Sequence, residues 1–246
     1  MSQRKLNING LYLEVTRRCN MDCDHCMRGD AQNKDLDIQA LRPFFQTIET
    51  IETIGFTGGE PSLCPEKLLE TLEIVKEYHI PVFAIDVTTN GKTVPDTFLM
   101  ALIQWYAYCL NCGGEPECSG IALSKDEFHD DIPKINEYKL RSLSFFQTHK
   151  IVHYLEQNRS IIDKGHASER LSIYKLRPYT SDDLYVTVSD DTIDLYDNNL
   201  LITVNKNILL DCDYAYDEED ELAIGRADQP EDFLDYLLEQ AENESA

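Results

Sequence analysis

Three cysteines stand in the run Cys19-Asn20-Met21-Asp22-Cys23-Asp24-His25-Cys26, with no fourth cysteine close by. The spacing is C-x3-C-x2-C. Thiolates are ligands for iron, and a four-iron, four-sulfur cubane normally takes four of them. Three ligands leave one iron open, and an open metal position is where a substrate or cofactor binds. The run therefore reads as a cluster that reacts rather than one that only carries electrons. A zinc knuckle is the competing reading, because zinc takes a fourth Cys or His and His25 lies between two of the cysteines.

Further motifs follow in order. Leu11-Tyr-Leu-Glu-Val-Thr-Arg-Arg-Cys19 has the alternation of a strand that delivers the cysteine loop. Thr57-Gly58-Gly59-Glu60-Pro61, Thr88-Thr89-Asn90-Gly91 and Ile121-Ala-Leu-Ser124-Lys-Asp126-Glu-Phe-His129 each end a short apolar run with polar or Gly-rich residues. Across residues 11–129 this order and spacing resemble the radical S-adenosylmethionine (radical SAM) superfamily. One such motif is modest evidence and four in sequence are strong.

The resemblance implies an α/β fold, a partial (β/α)6 barrel of the radical SAM type. It implies that Cys19, Cys23 and Cys26 hold a [4Fe-4S] cluster and that S-adenosylmethionine (SAM) binds the open iron. It places the strand end Gly58-Gly59-Glu60-Pro61 against the methionyl amino group. His25 stands where the family carries an aromatic side chain near the adenine. Asn90, Ser124 and Asp126, at neighbouring strand ends, have reach to the methionyl carboxylate or the ribose hydroxyls, and each is equally a turn residue bonding its own backbone. Gly165-His166-Ala167 would flank the adenine. The implied reaction is reductive cleavage of SAM to a 5′-deoxyadenosyl radical that abstracts hydrogen from a substrate, with a flavodoxin or ferredoxin as electron donor. No residue is singled out as a further catalyst.

The chain has 246 residues and a formal net charge of −23. Nucleic-acid affinity comes from Lys and Arg neutralising phosphates, so this charge argues against a nucleic-acid partner. It argues equally against an anionic membrane surface. Met1-Ser2-Gln3-Arg4-Lys5 carries no apolar run, and no stretch approaches the length of a bilayer span, so a cytoplasmic protein is expected. Eight cysteines in such a protein favour metal or redox chemistry over disulfides. Arg17, Arg18 and Arg28 flank the cysteine loop, where they would neutralise the cluster, dock an acidic donor, or form salt bridges.

The elements that must position these groups alternate strand and helix. Ile38, Leu41, Phe44, Ile48 and Ile51 recur at helical spacing behind Asp37 as N-cap, although Pro43 sits awkwardly within. Thr53 to Thr57 reads as a short strand and Pro65 opens a helix. Val82 to Val87 is an apolar strand, Pro95 opens a helix to about Trp105, and Ile121 to Leu123 is the next strand. Helices are expected near 131–141 and 149–157, and a short strand at Ile161-Ile162. After Pro178 the chain reads as antiparallel strands with turns at Asp190-Asp191, Asn198-Asn199 and Asn205-Lys206-Asn207, closed by a helix from about Glu231 to Glu239. This predicts a barrel over residues 1–178 and a C-terminal β-rich extension with a terminal helix over 179–246.

Cys109, Cys112 and Cys118 read as thiols of a Gly-rich loop before the fourth strand, with zinc, a further cluster, or a thiol that donates hydrogen as the competing readings. Cys212 lies in the β-rich end. A peptide or protein is the leading substrate, held by strand-edge pairing. The alternatives are a small metabolite or nucleotide, or a zinc-stabilised interaction module without catalysis.

Overall fold

Five segments build a parallel sheet in chain order. They are β1 (Lys5–Thr16), β2 (Ile48–Gly58), β3 (Val82–Thr89), β4 (Gly120–Leu123) and β5 (Val152–Tyr154). The computed structural model describes residues 4–125, 128–143, 152–154, 161–171 and 184–244. Crossovers between these strands carry α1 (Arg42–Phe45), α2 (Pro65–Glu77), α3 (Asp96–Asn111) and α4 (Lys134–Arg141). Leu11, Leu13 and Val15 of β1, Ile54 and Phe56 of β2 and Ile85 and Val87 of β3 are buried in one core with Leu68 and Leu72 of α2 and Phe98 and Trp105 of α3. Trp105 packs on Phe56 at 5.4 Å and its indole N–H donates to the Leu68 carbonyl at 2.8 Å. The other face of the strands is left for the site, as an open partial barrel requires.

The remaining elements are α5 (Gly165–Arg170), β6 (Tyr185–Val188), β7 (Thr192–Ile202), β8 (Asn207–Leu210), α6 (Glu219–Leu222), β9 (Gly225–Arg226) and α7 (Glu231–Glu244). β7 pairs in parallel with β1, on the side away from β2, while β6 and β8 pair with β7 antiparallel. The sheet order is β5-β4-β3-β2-β1-β7-β8-β9, so strands from both sides of residue 178 belong to one sheet. The expected boundary itself lies outside the described residues. No helix among them is long and apolar enough to cross a membrane.

Several expectations need correction. Ile48 and Ile51 belong to β2: the helical stretch ends at Phe45, and Asp37 caps only a 3-10 turn, accepting from the Gln39 amide at 3.2 Å. Buried residues three apart also fit a twisted strand under helices, which is why the spacing misled. Residues 152–154 are a strand, not part of a helix. Asn198-Asn199 lies inside β7, where the register shifts between Ile8 and Gly10 and absorbs the extra residues. α3 runs on to Asn111, so Cys109 is buried in its last turn and Cys112 is its C-cap, not part of a loop.

Candidate functional site

β1 ends at Thr16, and the chain then leaves the sheet to form the cysteine loop. The base of the loop is closed by backbone: the Arg17 amide donates to the Lys34 carbonyl at 2.9 Å and the Gln32 amide to the Arg17 carbonyl at 3.0 Å. The Thr16 hydroxyl donates to Asp35 at 2.6 Å, and Arg18 pairs with the same carboxylate at 2.8 Å. Inside the loop the Cys26 amide donates to the Cys23 carbonyl at 3.1 Å, which turns Cys23 and Cys26 toward one side.

The end of β2 is joined to this loop by backbone. Gly59 donates to the Thr16 carbonyl at 2.7 Å and Glu60 to the Arg18 carbonyl at 2.8 Å. A Cβ on Gly59 would stand 2.2 Å from the Arg18 carbonyl oxygen, and Gly58 holds φ at +134°, in the region that favours glycine. The two glycines therefore admit the cysteine loop itself, a closer constraint than the expected approach to a cofactor. Glu60 is buried and its carboxylate is fully occupied: Oε1 accepts from the Ser62 amide at 3.0 Å and the Thr89 hydroxyl at 2.7 Å, and Oε2 from the Asn90 amide at 2.7 Å. It ties the ends of β2 and β3 together. Burial pushes its carboxyl up from the ordinary value, against these three donors.

Asn90 turns toward the loop. Its Nδ2 donates to Asn20 Oδ1 at 2.8 Å and lies 3.9 Å from the Cys19 sulfur, while its Oδ1 accepts from the Lys92 amide. The Ser124 amide donates to the Thr89 carbonyl at 2.9 Å, which sets β4 beside β3. His25 packs against Phe128 at 5.0 Å and edge-on against His129 at 4.7 Å.

These groups surround one open cleft with about 490 Å³ of empty space. Cys19, Cys23, Cys26 and His25 form one wall; Gly58, Gly59, Glu60, Asn90 and Ser124 form the other. Pro61 begins a buried 3-10 turn and does not line the cleft. Asp126 lies outside the described residues. Met21, Thr57, Thr88, Thr89 and His129 also line the cleft. Strand alternation would have found Thr57 and Thr88, which share a face with Gly55 and Asp86; His129 closes the fourth motif, which by itself gave it no role.

The far side of the loop is braced by His166, Arg17 and Arg28. The His166 amide donates to the Cys26 carbonyl at 2.9 Å, and its ring lies between the Cys23 carbonyl, 3.2 Å from Nδ1, and Asp30, 2.9 Å from Nε2. His166 thus supports the loop from α5 and is not among the residues of the cleft. Arg17 is buried between Glu14 at 3.1 Å and Glu219 at 2.5 Å, and Arg28 stacks over the Tyr214 ring at 4.0 Å. Salt bridging and ring stacking are what these cations do here.

The three thiols fit a cluster. All three line the one cleft. A cubane asks for separate irons, one per thiolate. Burial lifts the Cys19 thiol above its ordinary value, so metal binding there is coupled to proton release. Cys109 is buried in α3, its thiol pushed up to about 12 by that burial, while Cys118 is exposed in a 3-10 turn.

Comparison with known proteins agrees with this geometry. The sequence model of the Radical SAM superfamily matches residues 13–153. The chain is 30% identical over 100 residues to the tungsten-containing aldehyde ferredoxin oxidoreductase cofactor-modifying protein of Pyrococcus furiosus, covering 38% of this chain and 27% of that protein. It is 27% identical over 132 residues to the putative peptide biosynthesis protein YydG of Bacillus subtilis, covering 52% of this chain and 39% of that protein. The match thus spans well under half the length of either curated relative. The structure described as native anSMEcpe with bound AdoMet and Cp18Cys peptide superimposes with a TM-score of 0.56 at 12% identity, covering 98% of this chain and 82% of that one. That likeness shows the fold. Because the family's sequence model covers more than half of the chain, with the three cysteines inside the match, this protein belongs to the radical SAM superfamily, whose cofactors are a [4Fe-4S] cluster and SAM.

Proposed function

We propose that Cys19, Cys23 and Cys26 hold the cluster, that SAM lies across the cleft against the strand ends, and that the substrate is a peptide or protein. The observation that carries the reading is the pairing of two walls: three thiols on one loop, facing Gly58, Gly59, Asn90 and Ser124 at the carboxyl ends of three strands. When bound, the group supplies one electron to the sulfonium of SAM and so a radical able to take hydrogen from an unactivated carbon. The chain's part is to position and to shield. Asn90 holds Cys19 and Asn20 in place, Glu60 locks β2 to β3, and the Thr57 and Thr88 hydroxyls offer polar contacts on the cleft floor. His25 and His129 line the cleft, and the His25 ring packs on both Phe128 and His129. An external one-electron donor, a flavodoxin or ferredoxin, completes the system.

The peptide reading draws on two likenesses, a relative named for peptide biosynthesis and a fold neighbour whose structure contains a peptide. Nothing in the fold or the likenesses supports the zinc-stabilised module. Anaerobic reconstitution tests the reading. The parent takes up about four irons and four sulfides and, once reduced, releases 5′-deoxyadenosine from SAM; short peptides encoded beside its gene accelerate that release and nucleoside triphosphates do not. The triple variant Cys19→Ala, Cys23→Ala, Cys26→Ala keeps its circular dichroism and releases none. Release by the triple variant would overturn the assignment of the cluster ligands.

A further inference from the structure

Below the cleft, the concave face of the sheet carries a second set of reactive groups. Thr57 and Thr88 line the cleft. Two residues earlier along the same strands, Tyr12, Gly55 and Asp86 are register partners across β1, β2 and β3. Residues two apart share a face, so this row lies roughly 7 Å beneath the threonines. Gly55 makes the row possible. A Cβ there would stand 2.2 Å from the Tyr12 ring, so the phenol lies across β2, and its hydroxyl donates to Asp86 Oδ2 at 3.3 Å.

Cys212 joins this pair from the other side of β1. It packs with Tyr12 on Leu201, Leu209 and Tyr214, and its thiol is within electrostatic reach of both the Tyr12 hydroxyl and Asp86. Tyr12 and Asp86 alternate with Leu11, Leu13, Ile85 and Val87 of the helix-side core, so they lie on the concave face, and Cys212, packed in one cluster with Tyr12, lies there with them. The backbone is strained to put the thiol there. Asp211 holds φ at +90°, in the region that favours glycine, while its amide donates to the Asn199 carbonyl at 2.7 Å and its own carboxylate accepts from the Cys212 amide. A non-glycine residue kept in this conformation is strained, and such strain recurs at functional sites. Of the five cysteines outside the loop, Cys64 and Cys109 are buried in the helix-side core, and Cys112 and Cys118 lie at and beyond the end of α3.

Resting on the functional reading above, we propose that Cys212 is a catalytic residue whose thiol returns a hydrogen atom to the carbon radical formed on the substrate, on a floor completed by Tyr12 and Asp86. The S–H bond breaks homolytically, the new C–H bond closes the product, and a thiyl radical remains on sulfur. One electron from the external one-electron donor and one proton from solvent restore the thiol. The substrate keeps its hydrogen count, so the reaction is redox-neutral for the substrate. A thiolate has no hydrogen to give, and here the thiol stays protonated: the surrounding protein, then Asp211, Asp213 and Asp86, push it up to about 12 against the opposing pull of Arg28.

The test uses the reconstituted protein exchanged into D2O in thiol-free buffer, with SAM and dithionite and no added substrate, so that the 5′-deoxyadenosyl carbon is itself the acceptor. Thiols exchange with solvent and C–H bonds do not, so deuterium per 5′-deoxyadenosine formed reports transfer from sulfur. The parent and Cys118→Ser carry the label, and Cys212→Ser loses most of it. In the cluster-free protein, N-ethylmaleimide at neutral pH reacts with Cys118 well before Cys212, and Asp86→Asn speeds the reaction at Cys212. Equal labelling in the parent and Cys212→Ser, or alkylation of Cys212 as fast as Cys118, would overturn the assignment alone. Absence of 5′-deoxyadenosine from the parent would overturn the functional reading beneath it.

Discussion

The amide of Glu60 donates to the carbonyl of Arg18 at 2.8 Å, one residue before Cys19, so the end of β2 and the start of the cysteine loop form one hydrogen-bonded unit. Gly59 sits at the closest point of that seam, with no room for a Cβ beside the Arg18 carbonyl. Gly59→Val therefore displaces the loop, and the variant loses iron on reconstitution before any effect on SAM affinity is seen. The sequence-based expectation places Gly59 against SAM, with a weaker effect of its substitution on the cluster. Iron and sulfide assays separate the two; a variant with a full cluster and weakened SAM binding would favour the contact with SAM.

The pair Arg17–Glu219 holds the same loop to the C-terminal segment. Both side chains are almost wholly buried, and Glu219 also accepts from Thr203, Asn205 and Asn207. Removing Glu219 leaves buried Arg17 with Glu14 alone and takes an acceptor from Thr203, Asn205 and Asn207, at a cost of about 3–5 kcal/mol. Glu219→Ala is expected to lower the unfolding free energy by that amount in urea titration, and Glu219→Gln, which keeps most of the hydrogen bonds, by less. A loss under about 1 kcal/mol would place the pair with surface ion pairs.

Asp35 gives the loop a pH dependence. Partial burial would lift its carboxyl, but the Arg18 guanidinium and the Thr16 hydroxyl outweigh that and hold it below the ordinary value. A depressed carboxylate contributes stability that is present above its unfolded pKa, near about 3.9, and lost as pH falls through the lower folded one. Acid titration of the parent should show this loss below pH of about 4, and Asp35→Asn should remove that part of the slope. An unchanged slope in the variant would assign the acid sensitivity elsewhere.

The cysteines outside the loop are expected to bind no iron. Cys109 points into the α3 core, Cys118 is exposed, and Cys212 lies on the concave face. Replacing Cys109, Cys112, Cys118 and Cys212 by Ser should leave about four irons per chain. An iron count near eight in the parent, halved by Cys112→Ser, would reveal a second cluster.

Much of the site was legible in the sequence because its logic is local. Cys19, Cys23 and Cys26 are spaced by the covalent chain, and Gly58-Gly59-Glu60 and Asn90 stand at strand ends that period-two alternation reveals. α2, β3 and β4 were legible for the same reason, through Pro65 and the apolar runs at 82–87 and 121–123. What each residue does there was decided only by contact. Glu60 is a staple because three donors converge on it from β2 and β3, and Gly59 serves the cysteine loop because Arg18 folds back over it. His166 and Glu219 hold the cysteine loop from more than a hundred residues away; the sequence offered His166 only as a flank of the adenine, and no spacing announces Glu219. Their places follow from β7 adding to the free side of β1, a choice set by burial and sheet register over the whole chain. A sequence can declare which atoms are able to bind iron; which side chains share a face of the sheet with them depends on pairings that only the folded chain makes.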